Sequence, residues 1–232
     1  MQVNSIYNPI KNCVKYMRNM FTSKPVAVNS TVVQGSEILA DQNKILVKRA
    51  SNFVEPLQNS FKSTKEMFNY AKNRCIASLN SEGNPEHAVV MDLKNNKVLA
   101  EYIGNKETCN LYGFETLDIN PEYTAVMHGH INSYPISTTD VNFLLNQNVN
   151  QVIAVDTNGQ YSLVSKRPDC NYANKFIRKE FANYNNEAYD CKYSFGEKIE
   201  SSLYKIFIHA ILKEHAQKMN IRYWTNYGFL KS

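Results

Sequence analysis

The feature that most constrains the fold is a regular order of short apolar segments between residues 63 and 168. Two of them, His87–Asp92 and Lys97–Ile103, are rich in strand-forming residues and flank paired asparagines, which favour a tight turn. Two more flank an Asn-Gly pair, a strong signal for a hairpin. The candidates after the first hairpin are a buried strand at 123–128, a helix at Thr138–Asn146, and strands at 151–156 and 160–164. This order predicts a mixed α/β fold.

A helix is predicted immediately before the first strand pair. Ser63 and Glu66 form the Ser-x-x-Glu pattern of a capping box, and apolar residues then recur at helical spacing as far as Leu79. A Gly-Asn-Pro sequence at 83–85 should end this helix. We therefore expect a central domain over residues 63–168, with a mixed β-sheet flanked by helices.

The flanking segments carry weaker signals. Residues 1–62 are predicted to form an N-terminal arm and helical segment, with helices near 10–21 and over 37–57. Residues 169–232 show helical periodicity and predict a C-terminal helical extension. Aromatic and apolar side chains recur in its first helix, a pattern that favours core packing over a base-stacking surface: Tyr172, Phe176, Ile177 and Phe181.

Charge and cysteine content limit the classes of protein. The net charge is +5 and is unevenly distributed, with an acidic middle and basic flanks, so an anionic partner such as nucleic acid is an alternative to a plainly solvated surface. No run of about 18 apolar residues is present, which argues against membrane insertion and predicts a cytoplasmic protein. The five cysteines are scattered and never form a Cys-x-x-Cys pair, so we expect reduced thiols.

The segment that carries chemistry begins at the end of the third strand. His128 and His130 are two residues apart in an extended stretch, so their rings should lie on the same face and could bind one metal ion. Asp140 falls at the start of the next helix, where a carboxylate is favoured and can turn back towards the strand end. Two imidazoles and one carboxylate leave a fourth position for water, the pattern of catalytic zinc.

These residues resemble the signature of the JAMM (JAB/MPN) metalloprotease-like domain, a family with a fold similar to cytidine deaminases. That signature is a glutamate on an early strand, then His-x-His, then a linker with serine three residues before aspartate. Here it is matched by Glu86, His128, His130, Ser137 and Asp140. The resemblance covers residues 63–166 and extends to RadC-like members of the family.

The resemblance implies a zinc-dependent hydrolase acting on peptide or isopeptide bonds. Zinc would be held by His128, His130 and Asp140, Glu86 would act as the general base, and Ser137 would donate its hydroxyl to the oxyanion. Helix capping is an alternative or additional role for Ser137. The implied substrate is a protein or peptide, including ubiquitin-like conjugates.

Two points keep alternatives open. Family members usually carry proline directly after the second histidine, whereas Ile131 occupies that position here and puts the geometry of the following loop in question. Glu101, Glu115 and Glu122 are competing candidates for the base, although their spacing fits the family less well.

Other functions remain as alternatives. One is a RadC-like or phage-associated module that works near nucleic acid and uses the basic flanks. Another is a non-catalytic scaffold that binds a protein partner through the C-terminal helices. His87 should face away from the metal ligands, and His209 and His215 are six residues apart on one helix, so they should not share a metal ion.

Overall fold

The computed structural model describes residues 52–106, 108–111, 113–131, 136–195 and 202–227, with the backbone alone at 116, 192–195 and 202–205. These residues form an α/β fold with a seven-stranded mixed sheet. The strands are β1 (Phe53–Val54), β2 (His87–Asp92), β3 (Lys97–Ile103), β4 (Thr124–Gly129), β5 (Gln151–Val155), β6 (Tyr161–Lys166) and β7 (Ile221–Thr225). The helices are α1 (Thr64–Leu79), α2 (Thr138–Asn146), α3 (Lys175–Phe195) and α4 (Ser202–Lys218), with a short 3-10 helix at Phe114–Thr116.

The sheet has the strand order β1-β3-β2-β4-β5-β6-β7. Five of its neighbouring pairs are antiparallel, and only β4 and β5 run parallel. A parallel pair needs a crossover connection, and the chain between β4 and β5 contains α2. The carboxyl end of β4 and the beginning of α2 therefore follow one another in the chain, and this junction carries the candidate site.

Helix α1 covers one face of the sheet. Its buried residues, Met67, Ala71, Cys75 and Leu79, recur every four positions, which places them on one side of the helix. The first three pack with apolar side chains of the central strands, including Val89 and Met127. The Ser63 hydroxyl accepts a hydrogen bond from the Glu66 N–H, as the capping pattern predicts.

Helices α2, α3 and α4 cover the opposite face. Val141 and Leu144 of α2, Ile177 and Tyr184 of α3, and Leu212 of α4 belong to one buried cluster with that face of the sheet. Core packing is thus confirmed for much of the aromatic pattern after residue 169. Phe176 is the exception, since its side chain is 69% exposed.

The structure differs from the sequence predictions at both ends. Phe53–Val54 is a strand paired with β3, so the helix predicted over 37–57 is wrong at these two residues. The part of the N-terminal arm before residue 52 lies outside the described residues. The segment predicted as a helical extension also contains β7, which pairs antiparallel with β6. A five-residue strand directly after a long helix gives little periodicity of its own, which explains why it was missed.

Candidate metal centre

The two histidines of the candidate site lie at the carboxyl end of β4. His128 belongs to the strand, and the backbone N–H of His130 donates to the carbonyl oxygen of Val155 over 2.8 Å, so the extended pairing continues past the strand end. Both rings consequently lie on the same side, with their Nε2 atoms 2.8 Å apart. This agrees with the argument from their spacing. Both residues are buried.

The third member, Asp140, is held by the first turn of α2. Ser137 caps this helix: its hydroxyl accepts a hydrogen bond from the Asp140 N–H over 3.2 Å. In return, Asp140 Oδ2 accepts hydrogen bonds from the Ser137 N–H over 2.7 Å and from the Ser137 hydroxyl over 2.8 Å. This reciprocal capping box fixes the carboxylate against the end of β4.

The capped carboxylate faces both imidazoles. Asp140 Oδ1 lies 3.0 Å from His128 Nε2, and Asp140 Oδ2 lies 3.5 Å from His130 Nε2. One ligand atom from each of the three residues can be chosen so that all lie within 4.8 Å of one another. Two imidazole nitrogens and a carboxylate oxygen are a donor set that zinc accepts. The residues present therefore fit a metal ion, and zinc is compatible with them.

The electrostatics of the site favour positive charge beside Asp140. Burial raises the pKa of Asp140, but the charge and hydrogen bond of His128, the charge of His130 and the hydrogen bond from the Ser137 N–H lower it more. The pKa of Asp140 therefore lies well below its ordinary value. Burial lowers the pKa of His128, yet the charge and hydrogen bond of Asp140 bring it above its ordinary value. An ionised carboxylate held against two imidazoles is suited to a cation.

Glu86 lies on the same face of the sheet as the two histidines. It directly precedes β2 and lies two residues before Ala88, which pairs with His128 across the β2/β4 ladder. Residues two apart along an extended strand share a face. Burial raises the pKa of Glu86 to about 7, and the negative charge of Asp140 adds to this, while His128 and the Cys109 N–H act in the opposite direction. A half-buried carboxyl group with this pKa is suited to exchanging protons near neutral pH.

The competing glutamates are placed differently. Glu101 is completely buried, and its carboxylate bonds to side chains beneath α1, on the far side of the sheet. Glu115 and Glu122 are exposed. Glu86, by contrast, lies close enough to the candidate site for the charges of His128 and Asp140 to act on its pKa.

Gly129, between the two histidines, faces α1. A Cβ built on Gly129 would lie 2.9 to 3.2 Å from three side-chain atoms of Leu79. The sequence indicated only that glycine leaves this face uncrowded. The structure shows instead that the end of α1 packs against the strand backbone at this point.

The remaining described histidines belong to other environments. His87 points beneath α1, where its Nε2 lies 2.7 Å from Glu101 Oε2. His215 is buried between α3 and α4, with its Nδ1 2.7 Å from Glu180 Oε1, and His209 packs against the rings of Tyr223 and Tyr227. Over the described part of the chain, His128, His130 and Asp140 are the only cluster that could hold a metal ion.

Sequence reasoning missed one polar cluster altogether. Glu101 accepts hydrogen bonds from the Tyr70 hydroxyl and, over 2.8 Å, from Arg74 Nε, in addition to its contact with His87. We call these four residues the Glu101 cluster. The available signal was a charged residue inside the apolar strand Lys97–Ile103, which usually means a buried partner.

None of the helices in the described residues is both long and apolar enough to cross a membrane. No protein-family model, no curated protein sequence and no solved structure matches the chain.

Proposed function

We propose that the protein is a zinc-dependent metallopeptidase of JAMM type that hydrolyses a peptide or isopeptide bond. The observation that carries this proposal is the convergence of His128, His130 and Asp140, whose ligand atoms lie within 4.8 Å of one another. The half-buried carboxyl group of Glu86 lies on the same face of the sheet. The order and spacing of these residues resemble those of the JAMM family.

His128, His130 and Asp140 are the residues that would hold the metal. When bound there, zinc supplies a Lewis acid that lowers the pKa of a coordinated water towards neutrality. The capping box keeps Asp140 oriented through the backbone and hydroxyl of Ser137. A ligand set fixed by hydrogen bonds beyond the metal is typical of sites with a preorganised geometry.

Glu86 is the proposed general base and acid. Its carboxylate takes a proton as water attacks the substrate carbonyl, and the resulting carboxylic acid then delivers that proton to the leaving amine. Before any metal binds, burial raises the pKa of Glu86 to about 7, which supports a role in proton transfer for this carboxyl group.

Ser137 has two proposed roles. Its hydroxyl donates to Asp140 Oδ2 over 2.8 Å and also caps α2. In the proposed reaction the same hydroxyl turns towards substrate and donates to the oxyanion of the tetrahedral intermediate. Catalysis by Ser137 therefore requires its hydroxyl to leave Asp140 Oδ2 and to donate to the oxyanion instead.

The proposed substrates are proteins or peptides, including ubiquitin-like conjugates, and the proposed location is the cytoplasm. The sequence feature that supports a reducing compartment is the scattered placement of the five cysteines, none of which forms a Cys-x-x-Cys pair. These finer assignments rest on the resemblance to the JAMM family.

The test compares Glu86→Gln with the exposed control Glu115→Gln on the zinc-loaded full chain. Peptide libraries and ubiquitin-like conjugates serve as substrates, and zinc content is measured on the same samples. We expect Glu86→Gln to retain zinc and lose about 10²- to 10⁴-fold in hydrolysis, while the control keeps wild-type activity.

Full activity in zinc-loaded Glu86→Gln would refute the assigned base. If the wild-type chain binds no zinc, even after incubation with it, a protein-binding scaffold becomes the better interpretation. Hydrolysis that survives removal of zinc by a chelator would contradict the metallopeptidase proposal as a whole.

A further inference from the structure

A row of three aromatic rings lies on the side of the sheet opposite the candidate metal centre. Phe68 of α1 lies 5.2 Å from Tyr161 of β6, and Tyr161 lies 5.1 Å from Trp224 of β7, measured between ring centroids. Two cationic residues, Lys72 and Arg222, flank the row. We call these five residues the aromatic-basic surface.

Within the described residues, the topology explains why no helix covers this surface. Helix α1 packs against β2, β4 and β5, whereas β6 and β7 lie farther along the same face of the sheet. Side chains alternate across a strand, so Tyr161, Arg222 and Trp224 all point to this uncovered side. Trp224 is 50% exposed although it is the largest apolar side chain in its strand.

Two cationic side chains lie on the same elements as the rings. Phe68 and Lys72 are four residues apart and therefore share one side of α1, and Arg222 and Trp224 are two apart on β7 and share one face. The nearby acidic groups are engaged elsewhere: Glu66 Oε2 accepts the Lys62 N–H, and Asp156 is completely buried. Within the described residues, Lys72 and Arg222 form no salt bridge.

We propose that the aromatic-basic surface binds single-stranded nucleic acid. The exposed ring of Trp224 and the partly exposed rings of Tyr161 and Phe68 offer stacking platforms for unpaired bases. The lysine and arginine side chains of the same surface can neutralise the phosphates between those bases. An apolar protein partner would not require cations on both sides of the rings. The surface lies across the sheet from His128 and Asp140, so this binding is independent of the proposed hydrolysis.

The chain provides its own probe, because Trp224 is its only tryptophan. Titrating the zinc-loaded full chain with a 20-nucleotide oligothymidylate should quench the intrinsic fluorescence as bases stack on the indole ring. Binding should weaken as salt rises from 50 to 200 mM, since phosphate contacts release counterions. A duplex of the same length should bind more weakly because its bases are already stacked.

Variants are then compared by the anisotropy of a labelled oligothymidylate. We expect Trp224→Ala to weaken binding about 10-fold and Trp224→Phe to restore much of it, since an aromatic ring remains. Arg222→Gln should lower the salt dependence by about one phosphate contact. The control is Lys175→Gln with Phe176→Ala, which removes a neighbouring cation and an exposed ring from α3 and should leave affinity unchanged.

Circular dichroism and zinc content show whether each variant is folded. Absence of quenching and of any oligonucleotide binding at 100 µM protein would overturn the proposal. It would also be overturned if folded Trp224→Ala and Trp224→Phe bound as tightly as the control, because binding would then reside in another basic part of the chain. A preference for duplex over single strand would exclude the stacking mechanism.

Discussion

Two buried clusters of histidine and carboxylate lie on opposite faces of the same sheet. The metal-ligand cluster consists of His128, His130 and Asp140, and the Glu101 cluster lies beneath α1. The neighbouring residues Glu86 and His87 mark the division, since Glu86 shares a face with the first cluster and His87 belongs to the second. The two clusters differ in how their hydrogen-bonding groups are matched.

In the Glu101 cluster, the carboxylate is already paired with hydrogen-bond donors. One carboxylate accepts hydrogen bonds from a phenol and a guanidinium and contacts the His87 ring over 2.7 Å. In the metal-ligand cluster, two imidazole nitrogens and a carboxylate oxygen, all potential lone-pair donors, face one another. An excess of converging lone pairs calls for a cation, whereas a carboxylate surrounded by donors is already satisfied.

The pKa shifts of the carboxyl groups go in the same direction in both clusters, so they do not distinguish one cluster from the other. Burial raises the pKa of Glu101, but hydrogen bonds from His87, Tyr70 and Arg74 lower it more, so it lies below its ordinary value. The pKa of Asp140 is lowered in the same sense by its histidines. Only the identity and direction of the partner groups distinguish a structural network from a ligand site.

The largest expected difference between the clusters is in metal binding. We expect wild-type protein to bind about one zinc ion per chain, and His128→Ala and Asp140→Ala to bind almost none. Elemental analysis after extensive dialysis measures this, with circular dichroism as the check on folding. His87→Ala is the matched control, because it removes a buried histidine from the Glu101 cluster. We expect this variant to keep the zinc. Equal loss of zinc in all three folded variants would contradict the distinction between the metal-ligand cluster and the Glu101 cluster.

The second prediction concerns stability. Glu101→Ala leaves Arg74 and His87 without their shared carboxylate, and we expect it to lower the free energy of unfolding by about 3 kcal/mol. Urea denaturation of zinc-free protein measures the change. Asp140→Ala in the same zinc-free background should cost less, since it removes a carboxylate from a cluster that lacks its cation. A larger loss for Asp140→Ala would contradict this ranking.

The third prediction concerns how the free energy of unfolding changes with pH. Because the pKa of Glu101 is lowered on folding, its ionised form contributes stability above about pH 4.5, and that contribution is lost as the pH falls further. The difference in unfolding free energy between wild type and Glu101→Gln should therefore shrink below this pH. Denaturation of both proteins with a chelator present, between pH 7 and pH 3, would show it. A difference that stays constant over this range would mean that folding does not lower the pKa of Glu101.

The smallest expected effect is at the capping box. Ser137→Ala removes the hydroxyl that accepts the Asp140 N–H, and we expect a loss of about 1 kcal/mol in unfolding free energy. Ser137→Asn keeps a capping oxygen and should recover much of that stability. If hydrolysis falls further in both variants than their stability explains, the hydroxyl also acts on substrate. Equal activity in wild type and Ser137→Ala would restrict this residue to capping.

Local signals predicted most of the central elements. The bounds of β2, β3 and α2 were correct to the residue, because hairpin asparagines and a helix-capping serine act over three or four positions. The shared face of His128 and His130 also followed from their spacing. Asp140 could be placed near them because a helix start follows the strand within one short loop.

Long-range features could not be predicted in the same way. Tyr70 and Arg74 lie 31 and 27 residues before Glu101, and nothing in either local pattern pairs them. Strand β7 forms its ladder with β6 across more than fifty residues, including two helices. The exposure of the Trp224 ring depends on which strands α1 covers, and this follows only from the packing of the whole sheet.

The close approach of Leu79 to Gly129 has a mechanical consequence. Helix α1 carries Tyr70 and Arg74 to the Glu101 cluster, and about one turn beyond Arg74 its last residue presses on the backbone between the two histidines. A displacement of this helix along its axis would therefore reach both clusters at once. Packing of α1 on one side of the sheet therefore supports the backbone that carries the two candidate metal ligands on the other side.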